Sequence, residues 1–276
     1  MKQILSYWSI DTAGICTLLL TCLFYTIAVR GRFGRRMPYF ISAVLVIILC
    51  TASPLHFLAE HALFSAHMLA HVLLLLVAGP LLVAALPPEN RFRKPLLRLS
   101  RRIAATPLLA WVTGVAVMWI WHVPVLFDRM ASMNAMGQAT PGMAALMCIH
   151  MVSLLLAGAL FSWPVLGPYP QYRLGALTAV AYLASACIFC SLLGLLITFA
   201  PEGLYTGYVT GGTTPSVLQI IRRDWQISPA IDQQIAGLVM WVPCCFIYLS
   251  ASMVILVKWF QHKDLSTTSN LKIHNL

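Results

Sequence analysis

Six of the eight histidines lie between residues 56 and 150, inside or beside long apolar segments. Imidazole is a ligand for zinc, copper and haem iron. His67 and His71 are four residues apart, so a helix would place both on one face, where they can bind a single ion. Ionisable side chains in an apolar run of membrane length are costly and usually have a function. The pattern therefore predicts a metal centre buried among apolar helices.

Sulfur and carboxylate side chains accompany these histidines. A thioether biases a site toward Cu(I), and a carboxylate can bind the ion or orient a ligating imidazole. The methionines can equally be packing residues, and a histidine near a helix end can equally contact lipid headgroups or backbone. The candidate metal ligands are His67, His71, His150, His122, His61 and His56. The candidate supporting residues are Asp232, Glu60, Met68, Met147 and Met151.

The composition decides which class of protein must position these residues. Of the 276 residues, 60% are apolar and only 9% are charged, whereas a soluble domain has about 25% charged residues. Such a chain cannot cover the surface of a soluble fold with polar groups. We therefore expect an all-α polytopic membrane protein that forms a single transmembrane domain.

Seven apolar segments are long enough to cross a bilayer, which needs about 20 residues per helix. We predict spans at about 11–29, 38–52, 61–86, 107–121, 142–166, 174–199 and 232–260, followed by a polar tail at 261–276. On this assignment Glu60 lies at the start of the third span, and His61, His67 and His71 descend along it. The second half of that span is aliphatic.

The basic residues indicate the orientation of the spans. Fourteen of the 18 Lys and Arg residues fall in the loops after the first, third and fifth spans and in the tail. By the positive-inside rule these segments are cytoplasmic, so the N-terminus lies outside and the C-terminus inside. The net charge of +10 is then explained by topology and by contact with anionic lipids. It does not indicate nucleic-acid binding.

This topology brings the candidate ligands to one side of the bilayer. His56, His61, His67, His71, His122 and His150 all fall in the outer half of the bundle, and so do Glu60 and Asp232. Histidines with purely structural roles would be expected at both ends. We therefore predict that imidazoles from different spans meet in one pocket near the outer surface.

Four cysteines fall near mid-membrane, in the sixth and seventh spans: Cys187, Cys190, Cys244 and Cys245. Buried cysteine behaves as a small apolar residue, and this is the simpler interpretation of all four. Gln233, Met240 and Cys244 share one face of the seventh span, which leaves ligation by this face as a weaker alternative.

Four sequence blocks carry a resemblance to a known family. They are His56 to Pro88 with its HMxxH core and Gly-Pro pair, Trp121-His122-Val123-Pro124 onward to Asp128, the segment LLAGALFSWPVLGP that follows His150, and DQQIAGLVMWVP from Asp232. With these blocks the chain resembles the CtaG-type cytochrome c oxidase assembly factors. These are bacterial polytopic membrane proteins associated with aa- and caa-type haem-copper oxidases.

The resemblance implies seven helices and a non-enzymatic role in supplying copper during oxidase assembly. It carries over to His67, His71, His122, His150 and Asp232, and less directly to His56 and His61 at the edge of the first block. It implies copper, most naturally Cu(I), as the metal. The implied partner is an oxidase subunit or a periplasmic copper chaperone, and the implied location is the bacterial plasma membrane with the metal site facing the periplasm.

Three other functions remain open at this point. Histidines on two spans, such as His71 and His150, could ligate one haem in an electron-transfer protein. A membrane metalloenzyme could use Glu60 as a general base. A proton or ion transporter would need polar groups that continue to the cytoplasmic side, and the second half of the third span has none.

Overall fold

The structure, a computed structural model, describes residues 12–30, 34–126, 141–201 and 219–274, together with Trp8, Leu204, Tyr205 and Val217. Side chains are not described at residues 141, 143 and 262–274. The helices are α1 Thr12–Val29, α2 Met37–Ala52, α3 Pro54–His61, α4 Phe64–Val72, α5 Gly79–Ala85, α6 Arg93–Ala105, α7 Pro107–Trp121, α8 Pro141–Leu166, α9 Ala176–Phe199 and α10 Pro229–His274. A π-helix, Leu73–Ala78, joins α4 to α5, and a second π-helix covers Ile220–Asp224. The predicted all-α class is confirmed.

Within the part of the chain that the structure describes, five helical segments are long and apolar enough to cross a membrane on their own, and the number rises to seven if each of two bent helix pairs counts as one span. Large apolar side chains such as Leu19, Leu108, Ile188 and Phe246 are exposed on their outer faces. A water-soluble protein rarely exposes so much continuous apolar surface. The chain thus has the features of a multi-pass membrane protein.

The two bent pairs account for the spans that fell short of membrane length in the sequence. The α2 and α3 helices meet at 46°, and α6 and α7 meet at 92°. Proline begins the second helix of each pair, at Pro54 and Pro107, where its fixed φ suits a first turn and its missing N–H costs nothing. Ser53 caps α3 by accepting a hydrogen bond from the N–H of Leu55 at 3.1 Å.

The third membrane-length segment begins at Phe64, three residues after its predicted start at about residue 61. Glu60 and His61 belong to the short helix α3, and the chain breaks at Ala62 and Leu63 before α4 begins at Phe64. Leu63 is extended, with φ −131° and ψ 121°. His61 therefore does not lie on the same helix as His67 and His71. The final helix also continues to His274, past the predicted end at residue 260.

The long helix α8 packs against α1, α5, α7 and the first π-helix, while α9 and α10 pack along one another. Small residues make these approaches possible. A Cβ on Gly158 of α8 would collide with the carbonyl of Leu75, and a Cβ on Gly194 of α9 would lie 2.8 Å from the carbonyl oxygen of Gly237 on α10. Helices in membranes associate through such close backbone contacts.

Basic residues gather at the end of the bundle where α5 ends. The Arg36 guanidinium donates to the Leu86 carbonyl, and the Arg91 N–H donates to the Ala28 carbonyl at 2.8 Å. These contacts join the loops that follow α1 and α5. His71 precedes Ala85 by 14 residues, which corresponds to about 20 Å of helix. The basic loops and the imidazoles therefore lie at different levels of the bundle.

Candidate metal centre

Three imidazoles from two helices converge in the interior. His67 and His71 lie one turn apart on α4, and His150 lies on α8. One ligand atom from each of the three rings lies within 4.8 Å of the other two. The ring centroids are 4.5 Å apart for His67 and His71 and 4.7 Å apart for His71 and His150. We call these three residues the imidazole cluster.

The closest contact in the cluster joins the Nε2 atoms of His71 and His150, which are 2.7 Å apart. Two imidazole nitrogens at this distance share one proton, so one ring donates its N–H to the lone pair of the other. The Nδ1 atom of His71 is buried and has no hydrogen-bond partner within the described part of the chain. A buried polar atom without a partner is costly, and a cluster that carries one is poorly explained as a purely structural contact.

An ion fits this donor set with a small adjustment. Two imidazole nitrogens at about 2.0–2.1 Å from one ion lie roughly 3.3–4 Å from each other. The pair of Nε2 atoms must therefore open by about half an ångström or more from 2.7 Å, and the third ring is already within reach. An ion would replace the shared proton between His71 and His150.

Neighbouring groups hold the rings in place. The carbonyl of Ala59 accepts a hydrogen bond from the ring of His67. The indole of Trp121 lies edge-on to the ring of His150, with centroids 4.7 Å apart, and donates to the Ser153 hydroxyl at 2.8 Å. Such partners fix the orientation and tautomer of a ligating histidine. Sequence reasoning missed Ala59 and Ser153 as supporting residues because neither has a distinctive side chain.

His122 lies directly beside the cluster but turns its nitrogens elsewhere. Its ring meets the ring of His71 at a right angle, with centroids 5.0 Å apart. Its Nδ1 is 2.5 Å from the Met118 carbonyl oxygen, and its Nε2 is 2.9 Å from the sulfur of Met68. The ring therefore fills the space next to His71 and brings one predicted thioether, that of Met68, close to the site.

Asp232 supports the cluster from a distance by capping its helix. Its carboxylate accepts hydrogen bonds from the N–H groups of Phe64 and Ser65 at 2.7 and 3.1 Å, and from the Ser65 hydroxyl at 2.6 Å. The first N–H groups of a helix have no partner inside the helix, and a negative charge there is stabilised by the helix dipole. Asp232, on α10, thus fixes where α4 begins and how His67 and His71 are presented.

The other predicted residues lie outside the imidazole cluster. The Nε2 atoms of His56 and His61 are 3.4 and 3.9 Å from a carboxylate oxygen of Glu60, all within α3. His56 is buried, whereas the side chain of His61 is 42% exposed. Met147 and Met151 are buried in the main apolar core on either side of His150 in sequence. The structure therefore groups three of the six predicted ligands.

The charge of the site follows from these contacts. The three clustered rings can all ligate as neutral imidazoles. The carboxylate of Asp232 is bound to the start of α4, and that of Glu60 faces His56 and His61. A bound ion would keep its full charge in an apolar interior, where a monovalent ion costs less to bury than a divalent one.

Comparisons with known proteins agree with this picture at the level of the family. No curated protein and no solved structure shows a significant match to the chain. The family described as cytochrome c oxidase caa3 assembly factor (Caa3_CtaG) matches residues 22–262, a stretch that contains α2 to α9 and every candidate ligand. The resemblance drawn from the four sequence blocks is therefore confirmed, and the chain belongs to the caa3-type cytochrome c oxidase assembly factor family.

Proposed function

We propose that this protein binds Cu(I) through His67, His71 and His150 and hands it on during assembly of a haem-copper oxidase. The observation that supports the proposal most directly is the convergence of three neutral nitrogen donors within 4.8 Å of one another in a chain of this family. Imidazole binds copper well, and the four-residue spacing of His67 and His71 is suited to one ion. The role is that of a carrier, with no catalytic step.

The other predicted residues support the copper site in different ways. His122 and Met68 lie beside His71. A small movement of the His122 ring or of the Met68 thioether would bring a fourth ligand atom to the ion. Asp232 fixes the residue at which α4 begins. Met147 and Met151 pack around His150. His56, His61 and Glu60 form a polar group on α3 through which copper from a chaperone reaches the buried cluster, because the partly exposed His61 can make first contact with a donor.

We further propose that the cluster faces the periplasmic side of a bacterial plasma membrane, with the C-terminus in the cytoplasm. The support is the separation between the imidazoles and the basic loops along α4 and α5. Segments rich in Arg and Lys remain on the cytoplasmic side. A site in the other half of the bundle would then receive copper from the periplasm and pass it to an oxidase subunit or exchange it with a periplasmic copper chaperone.

The geometry favours an ion over a haem. A haem held by His71 and His150 would need a planar slot between the two rings, with each nitrogen on an opposite face of the macrocycle. The two Nε2 atoms are instead 2.7 Å apart, which leaves no slot between them. A single ion needs only the small opening described above.

The test is a Cu(I) titration of the purified protein against a chromophoric Cu(I) chelator. His71→Ala and His150→Ala each remove one of three donors, and we expect each to weaken copper binding by at least about 100-fold, more than the 10- to 100-fold loss typical of supporting residues. His61→Ala is the matched control, because it removes a partly exposed histidine outside the cluster, and its affinity should stay close to that of wild type. Unchanged copper affinity in both cluster variants would remove the proposed site.

A further inference from the structure

Sulfur atoms from three helices meet below the imidazole cluster. The thiol of Cys190 on α9 lies 3.9 Å from the sulfur of Met118 on α7 and 3.7 Å from the hydroxyl of Tyr248 on α10. The side chain of Cys244 on α10 lies beside that of Cys190 and lines the same gap as Met118. Cys190 is 1% exposed and Cys244 is completely buried. We call Met118, Cys190 and Cys244 the sulfur cluster.

Close packing of two helices holds this cluster together. A Cβ on Gly194 or on Gly237 would come within 2.8 Å of the other residue's carbonyl oxygen. These glycines therefore let α9 and α10 approach closely enough for their thiols to meet. Met240, Cys244 and Tyr248 follow one another at four-residue intervals and lie on one face of α10. That face is buried and points at Cys190 and Met118.

A narrow gap is lined by residues of both clusters. Its walls include His71 of the imidazole cluster and Met118 and Cys244 of the sulfur cluster, together with Met240. The gap is too tight for a water molecule. The other four lining residues are aliphatic: Val72, Leu75, Leu76 and Leu154. The sulfur donors favour Cu(I), and imidazole also binds copper.

Electrostatics determines which ion such a site can hold. An uncompensated charge is costly to bury in an apolar interior, and this cluster, unlike the neutral imidazoles, can supply a thiolate that compensates the charge of a bound ion. One thiolate neutralises one Cu(I) ion, while the second thiol and the Met118 thioether bind as neutral donors. Binding then releases one thiol proton, and the Tyr248 hydroxyl is placed to donate a hydrogen bond to the Cys190 sulfur. A divalent ion would need both thiolates in the same small space.

We propose that Met118, Cys190 and Cys244 form a second Cu(I) site, separate from the imidazole cluster. Its ligands are one thioether and two cysteine sulfurs, and two of these three residues line the same gap as His71. The site does not depend on copper binding at the imidazoles, since the two clusters share no ligand.

The test uses a protein whose imidazole site has been removed. The full-length variant His71→Ala/His150→Ala is titrated with Cu(I) against a chelator, and the bound ion is examined by X-ray absorption at the copper edge. We expect about one equivalent of copper to remain, with a coordination shell of sulfur. Adding Cys190→Ser and Cys244→Ser to this variant should abolish that equivalent. Met118→Leu should weaken it by about 10-fold and lower the sulfur count by one.

Two controls separate a specific site from a general effect of thiols. Cys50→Ser removes a buried cysteine on α2 whose thiol contacts the Ala70 carbonyl oxygen at 3.9 Å. Cys187→Ser/Cys245→Ser removes the neighbouring pair, whose sulfurs are 3.3 Å apart. Both controls should keep the sulfur-bound copper, and thermal unfolding of each variant in detergent verifies that it is folded.

The remaining outcomes separate the failure of the sulfur site from the failure of the imidazole site. A His71→Ala/His150→Ala protein that is folded and binds no copper would overturn the second site while leaving the imidazole site intact. Copper retained after loss of both Cys190 and Cys244 would overturn it as well, and so would copper lost only with Cys187 and Cys245. If wild type binds one equivalent through sulfur alone, the imidazole proposal fails and the sulfur site stands.

Discussion

Replacing Asp232 with Asn tests whether the start of α4 controls the imidazole cluster. The substitution keeps the size of the side chain but replaces one carboxylate oxygen with an NH₂ group. Asp232 is 2% exposed and accepts hydrogen bonds from two backbone N–H groups and one hydroxyl. An amide can accept at one oxygen only, so one N–H at the start of α4 would face another donor.

The expected loss of stability follows from these hydrogen bonds. A buried N–H left without an acceptor costs about 1–3 kcal/mol, and loss of a negative charge at a helix N-terminus costs roughly 0.3–2 kcal/mol. We expect Asp232→Asn to lower the free energy of unfolding by about 2–4 kcal/mol. Copper affinity should fall by about 10- to 100-fold, as for other residues that orient a ligand, because His67 and His71 lie within the first two turns of α4.

The assay combines thermal unfolding in detergent with Cu(I) competition on the same samples. Ser65→Ala removes the 2.6 Å hydroxyl contact but leaves both N–H bonds, so it should cost only about 1 kcal/mol. Glu60→Gln is the matched exchange of carboxylate for amide on α3 and should change stability by less than about 1 kcal/mol. Wild-type stability and copper affinity in Asp232→Asn would contradict the capping role of Asp232. An equal loss of stability and affinity in Glu60→Gln would also contradict it, because the effect would then come from charge alone and not from the cap.

Two further predictions concern pH and helix packing. Copper affinity should stay nearly constant as pH decreases from about 8 to about 6, because a protonated ring cannot ligate and a charged imidazole is costly to bury in the apolar interior that holds the cluster; a fall of about 10-fold or more over this range in a Cu(I) titration would contradict the buried position of the ligands. Gly158→Ala should destabilise the protein by about 1–3 kcal/mol and weaken copper binding, because its Cβ would collide with the Leu75 carbonyl and push α8, with His150, away from the π-helix. Gly142→Ala, whose Cβ would meet no described atom within 4 Å, should show neither effect in the same unfolding and titration assays.

Much of the helix assignment could be predicted because membrane helices are set by hydropathy along the chain. The break between α3 and α4 could not. The segment around Ala62 and Leu63 contains neither proline nor glycine, so local sequence favours a continuous helix. The break depends on Asp232, 167 and 168 residues away, which takes up the N–H groups that a continuous helix would have bonded internally.

The metal site, like the helix assignment, could be predicted from the sequence only in part. The four-residue spacing of His67 and His71, and the expected depth of His150 on another span, were sufficient to predict that imidazoles would meet. The sequence does not determine where each ring nitrogen points. His122 is the clearest example, because its nitrogens face the Met118 carbonyl and the Met68 sulfur, and the contact with Met68 depends on the packing of α7 beside α4. The contacts among the four cysteines likewise depend on how α9 packs against α10, which the sequence alone does not determine.

The run of leucines after His71 affects how the length of this segment can vary between related chains. A π-helix holds one residue more than an α-helix of the same height, and Leu73–Ala78 sits between the imidazoles and Gly79, which lies against Gly158. Removing one leucine would leave the apolar profile of the segment almost untouched. It would let the segment form an ordinary α-helix of nearly the same height, with His67 and His71 still in phase with Gly79. Two homologues that differ by one residue in this segment would therefore present the same imidazoles to α8.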